Sequence, residues 1–186
     1  AAIAAAHGDE RLRGRCLVLT AVGTFYRDFE AGWQLCEEAA HCAETAGDEF
    51  ALDGARALQG LILHVRDQHG EAEVLLQPAV DRMIRRGDRG IASTVLVFLS
   101  NGALYTGDVA RAHQLAAQAA DVAGPLGDYH RVGTTLSQQA LLRGVAGDID
   151  GGLQLLERFV HDLQGAGPEV FVPGMARTLG LLSLWR

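Results

Sequence analysis

Cys36, His41 and Cys42 are the closest grouping of metal-type side chains in this 186-residue chain. Thiolate and imidazole together suit zinc, but the spacing here is five residues and then one. On a helix that spacing turns the three side chains to different faces, and it matches no C-x₂₋₄-C pattern. The cysteines therefore read as small buried residues, and no metal is expected. Asp148-Ile149-Asp150-Gly151 opens like a calcium loop. Such a loop needs Gly at its sixth position and a bidentate Glu at its twelfth. Leu153 and Phe159 stand there, so the segment reads as a Gly-Asp turn with a capping aspartate. No G-x-S-x-G nucleophile turn occurs, and a phosphate loop is ruled out because the chain has no lysine. Arg82, Arg85, Arg86 and Arg89 form a basic cluster at a helix end and the turn after it. Two readings stay open for it: a solvated end that complements the helix dipole, or a docking patch for an acidic partner or another domain of the same chain.

Composition narrows the class. Hydrophobic residues make up 48% and charged residues 21%, values of a folded domain. The net charge of −7 argues against direct nucleic-acid binding, which needs a basic face. No apolar run reaches a membrane span's length, and Ala1 to His7 has no leader-like core. Three cysteines, an odd number without paired spacing, suit a reducing cytoplasm. The chain starts without Met and stops at Trp185-Arg186 inside an apolar pattern, so it is expected to be a piece of a larger multidomain protein.

The elements that position these residues repeat. Gly-Asp occurs at Gly8-Asp9, Gly47-Asp48, Gly87-Asp88 and Gly127-Asp128, at spacings of 39, 40 and 40. A second turn signal lies about half a period on. It reads Arg27-Asp28, Arg66-Asp67, Gly107-Asp108 and Gly147-Asp148, with its aspartates 39, 41 and 40 apart. Glycine accepts the left-handed geometry that ends a helix, and aspartate caps the next one. Each unit is thus two helices of nearly equal length, and residues 1–186 read as one array.

The second segments carry one apolar stripe in steps of three and four. It opens on Gly32, Ala72, Ala112 and Gly152 and continues through Leu35, Leu75, Leu115 and Leu155. Ala39, Ala79, Ala119 and Phe159 follow, with Ala40, Val80, Ala120 and Val160 beside them, then Ala43, Met83, Ala123 and Leu163. His41 and His161 share one position of these helices and are expected to face outward. The first segments are looser. Leu12, Cys16, Leu19 and Gly23 fit one face, as do Ala51, Ala55, Leu58 and Ile62, and Ile91, Val95, Phe98 and Gly102. Small residues at Thr20, Gly60, Ser100 and Ala140 would let two helices cross closely. Pro78 is expected to kink or disrupt its helix, at about 3 kcal/mol. Residues 165–174, with Pro168 and Pro173, read as a longer loop, the last helix starting near Pro173.

Gly60, Ala72 and Ala79, like Ser100, Ala112 and Ala119, have the 12-then-7 spacing of small residues in a tetratricopeptide repeat. The helix-ending proline of that family appears only as Pro125, and the period is 39 to 40, longer than that family's 34. The chain resembles the tetratricopeptide-like region of large LuxR-type, maltose-activator-like, ATP-dependent bacterial transcriptional regulators. The fold expected is all-α: an α-solenoid of about four and a half helix-turn-helix repeats. The resemblance implies a non-enzymatic module without cofactor, cytoplasmic, that senses an effector or binds a protein, peptide or other domain of its parent through the concave face. First helices line that face. Polar residues breaking their apolar pattern include Arg56, Gln59, His64, Asn101, Gln138, Gln139 and Arg143; two readings stay open for them, binding candidates on that face or side chains that pack or hydrogen-bond between helices. The alternative is a stand-alone scaffold that assembles partners.

Overall fold

The computed structural model describes residues 1–163 and 173–186, and every regular element among them is helical. In chain order these are α1 (Ala2–Ala6), α2 (Glu10–Phe25), α3 (Phe29–Ala46), α4 (Glu49–Val65) and α5 (His69–Arg86). Then come α6 (Arg89–Tyr105), α7 (Val109–Ala123), α8 (Tyr129–Val145), α9 (Ile149–Leu163) and α10 (Pro173–Trp185). Helices α2 to α9 pair into four hairpins, and α10 is a fifth first helix: the all-α repeat expected. The short α1 and a 3₁₀ turn at Gly124–Leu126 are additions. The chain divides into two compact units, Ala1–Gly87 and Asp88–Arg186, with the boundary on the third Gly-Asp. No helix among the described residues is long and apolar enough to cross a membrane.

Turn chemistry sets the frame. Gly8, Gly47, Gly87 and Gly127 take φ values between 60° and 83°, the left-handed region where a Cβ is costly. Asp9, Asp48 and Asp128 then cap α2, α4 and α8 by accepting backbone N–H groups. Asp28, Asp108 and Asp148 do the same for α3, α7 and α9. Asp67 corrects the expected frame. At φ 59° it fills the left-handed place held by Gly107 and Gly147, and Gln68 stands at the N-cap. Asp tolerates this region better than most side chains. The capping positions are therefore 28, 68, 108 and 148, and the one-residue slip disappears.

Burial sharpens the stripes. The deepest line on the second helices runs Gly32, Cys36, Ala39, Ala43, and its equivalents are Ala72, Leu76, Ala79, Met83 and Ala112, Ala116, Ala119, Ala123. The leucines expected on that line sit beside it: Leu35, Leu75 and Leu155 are half-buried, and of the four only Leu115 is buried. Val160 is exposed. Helix α5 runs through Pro78 without a break. Pro78 lies on the exposed face, as does Val74, whose carbonyl loses its partner, so water can replace that bond.

The crossing residues of the first helices are Ala21, Gly60, Ser100 and Ala140, all buried. Thr20 was expected in the first place but is exposed, its Oγ1 donating to the Cys16 carbonyl at 2.8 Å. The first period is 39 residues, so the frame counts back to Ala21. Gly60 allows a close approach: a Cβ there would lie 2.5 Å from Leu76. Leu12, Cys16, Leu19 and Gly23 do share one face of α2, but Leu12 and Leu19 are exposed. The equivalent Ala51, Ala55 and Ile62 of α4 are buried. Forty residues on from Thr135, Gln138 and Leu142 of α8 stand Met175, Thr178 and Leu182 of α10, also buried, so the frame holds to the last helix. Most of the predicted loop, residues 165–172, lies outside the described residues; α10 starts at Pro173 as expected.

Candidate functional site

In the first unit the polar side chains are largely committed to each other. Asp53 is fully buried on α4 and receives two arginines from α5. Arg82 donates from Nε at 2.8 Å, and Arg86 from Nη1 at 2.6 Å. Frame equivalents of Asp53 are Gly14, Ser93 and Gly133, small residues against which a helix packs. One acid placed there turns the face of α5 into an ion-pair seat. Arg82 and Arg86 thus bind inward, while Arg85 and Arg89 are exposed, one in each unit. The four do not form a single free basic patch. Arg56 donates to Gln59 Oε1 at 3.0 Å and lies 3.5 Å from Glu44, and Gln59 is buried. Asp48, the α4 cap, also takes Arg15 Nε of α2 at 2.7 Å. That hydrogen bond holds its carboxyl below the usual aspartate range.

His64, at the end of α4, meets His69 at the start of α5, with Nδ1 atoms 3.0 Å apart. Asp67 lies 3.8 Å from the far nitrogen of His69. Two close Nδ1 atoms share one proton, so the pair holds when one ring donates and the other accepts. Burial, and then the neighbouring His69, lowers the His64 pKa from 6.5. The unfolded chain therefore binds more protons below about 6.5, and stability falls as pH drops through that range. The urea midpoint is expected to be lower at pH 5.5 than at 7.5, and His64→Leu should reduce the difference. An equal difference in the variant would remove His64 from the account.

In the second unit Ser100 Oγ donates to the Ala112 carbonyl at 2.8 Å and accepts from Gln138 Nε2 at 3.0 Å. Gln138 is buried in this link between α6, α7 and α8, so it acts in packing. Arg143 is exposed, 3.8 Å from Asp148. Arg131 reaches from α8 to the Gly90 carbonyl and Thr94 Oγ1 of α6, while its Nε pairs with Asp128. Gly90, Thr94, Val97 and Asn101 follow one face of α6 in steps of four, three and four. Asn101 is half-buried, and among the described residues its enclosed Oδ1 has no hydrogen-bond partner. Frame equivalents of Asn101 are Val22, Leu61 and Leu141. Half-buried Gln139 lies on α8.

Chemistry elsewhere is quiet. Cys36 and Cys42 are buried, and burial pushes both thiols up to about 11, so they stay protonated near neutrality. A hydrogen bond between Cys42 and Glu10 adds to this for Cys42. His41 and His161 are exposed. Among the described residues no group of three or more His, Cys, Asp or Glu is placed to hold a metal ion.

Gln59 and Gln138 of the binding candidates, and Arg82 and Arg86 of the possible docking patch, all make internal contacts. Asp53 is not among the sequence candidates, although a charged residue in the frame of Gly14, Ser93 and Gly133 is a visible signal. The fold defines a class, an all-helical repeat of hairpins. No known protein-family model matches the chain, and none of the curated proteins matches it.

Proposed function

We propose that this chain is a non-enzymatic, cytoplasmic interaction and effector-sensing module, the helical-repeat segment of a large LuxR-type bacterial transcriptional regulator. Its first-helix face receives an effector, a peptide or another domain of the parent, and occupancy biases the contacts that set an on or off state. The small-residue spacing supports the repeat class. The observation that carries the binding reading is Asn101. An unpartnered enclosed acceptor costs about 1–3 kcal/mol. The equivalent helices avoid that cost with Val or Leu. Because Asn101 is part exposed, rotation can turn its carboxamide to a ligand that supplies a donor.

A thermal-shift screen against metabolites and short peptides tests this. A stabilising compound is expected, and its effect should vanish in Asn101→Leu while surviving Gln118→Ala on an exposed face of α7. Binding untouched by Asn101→Leu would contradict the site. In the parent gene, the reading requires an upstream nucleotide-binding motif and a downstream helix-turn-helix. A parent with neither would sink it.

A further inference from the structure

We propose that His64 and His69 chelate a divalent transition-metal ion of the nickel or copper class between their two Nδ1 atoms. The equivalent positions of the other hairpins carry no titratable group: Phe25 with Phe29, Leu104 with Val109, and Gly144 with Ile149. In the first repeat the two phenyl rings lie 5.2 Å apart and close the turn by packing. The second repeat puts two imidazoles in that place. Both are sheltered: His64 is half-buried, and the His69 side chain keeps 11% exposure. The helix ends that carry them are tied together. Asp67 N–H donates to the His64 carbonyl at 3.2 Å, and Gln68 N–H to the Leu63 carbonyl at 2.9 Å. The rings are therefore set before an ion arrives.

Ring geometry favours an ion at this place. A straight N–H···N bond at the observed 3.0 Å would hold the ring centres about 5.3 Å apart. They are 4.6 Å apart, so the ring axes bend away from the line between the nitrogens. Axes converging on an ion about 2.0–2.1 Å from each nitrogen put the ring centres about 4.6–4.7 Å apart. The angle at the ion is then about 95°. That is the cis angle of a tetragonal ion, the preference of Cu(II) and Ni(II) with nitrogen and oxygen ligands. Tetrahedral zinc would need the nitrogens about 3.4 Å apart. Asp67 lies 3.8 Å from Nε2, on the far side of His69. A carboxylate there favours the Nε2–H tautomer and keeps the lone pair on Nδ1. Its charge also favours a cation, and the neighbouring Arg66 is paired with Glu30 of α3 at 3.3 Å. Among the described residues no group of three metal-type side chains forms, so water fills the remaining positions of a two-point chelate. The site stands apart from the Asn101 reading, which lies in the second unit.

Calorimetric titration of the chain with nickel chloride at pH 7.5 tests the proposal, in a Cys16→Ser background that removes the half-buried thiol. One ion per chain is expected, bound at least about tenfold more weakly at pH 5.5, where imidazoles take up protons. His64→Leu and His69→Val carry the residues of the third repeat, so the turn keeps apolar packing. Each should weaken binding by at least about tenfold. His41→Gln, at an exposed position of α3, should leave it unchanged. With copper(II) chloride, electron paramagnetic resonance of the chain should show two equatorial nitrogens, and fewer in either variant. That spectrum of the unsubstituted pair decides the question even where a variant melts early. Three results overturn the proposal. They are no nickel binding, which leaves a hydrogen-bonded pair alone; binding that survives both substitutions; and a copper spectrum with one nitrogen or none.

Discussion

Replacing Arg82 and Arg86 together by methionine is expected to destabilise the first unit by about 3–5 kcal/mol, the cost of stranding a buried charge. Asp53 has no exposure of its own, so its carboxylate depends on those two guanidinium groups. The arginines keep some contact with water, at 30% and 26% side-chain exposure, and tolerate loss of the acid better than the acid tolerates loss of them. Adding Asp53→Ser to the double variant should therefore restore most of the lost stability. Serine already serves at the equivalent Ser93, where its hydroxyl donates to the Gly90 carbonyl at 2.9 Å. Chemical unfolding of the two variants beside the parent chain reads this directly. A double variant that loses less than about 1 kcal/mol, or a triple variant weaker than the double, would show that the pairs do not carry the α4–α5 contact.

The second large effect is expected where α4 and α5 cross. Gly60→Ala drives a methyl group into Leu76, which is fully buried, and overpacking of this kind costs about 1–3 kcal/mol. Leu76→Ala alone leaves a cavity at about 2–5 kcal/mol. Together the two substitutions should cost clearly less than their sum, because the new methyl enters the space the leucine leaves. The first repeat already uses such a pairing, with Ala21 and Cys36 in one buried cluster. Additive losses in a double-mutant cycle would mean that the two positions do not share that space.

These two sites show what could be read before the structure and what could not. Period, hairpins, caps and the second-helix stripe were legible because glycine and aspartate at turns and small apolar residues at fixed steps act locally. Exposure of the α2 face was not legible, since Leu12 and Leu19 carry the same apolar signal as the buried Ala55 and Ile62. Sequence periodicity finds a face, and only packing says whether a neighbour covers it. The Asp67 turn was misplaced by one residue because Asp serves both as a cap and, with its tolerance for positive φ, as a glycine substitute. Polar residues were hardest to place. Gln59 and Gln138 break the apolar pattern as Asn101 does, yet Gln59 accepts from Arg56 and Gln138 donates to Ser100. Which polar side chain finds a partner depends on contacts between helices, and no spacing rule encodes them.

In the proposed function Asn101 is kept on the first-helix face for a ligand, at a cost to the free chain. The most direct measurement is the unfolding free energy of Asn101→Leu without ligand, set beside its binding. Leucine, as at Leu61 and Leu141, removes the enclosed acceptor, so a gain of about 1–3 kcal/mol is predicted together with loss of binding. A variant that is less stable than the parent chain, or that binds equally well, would contradict the claim.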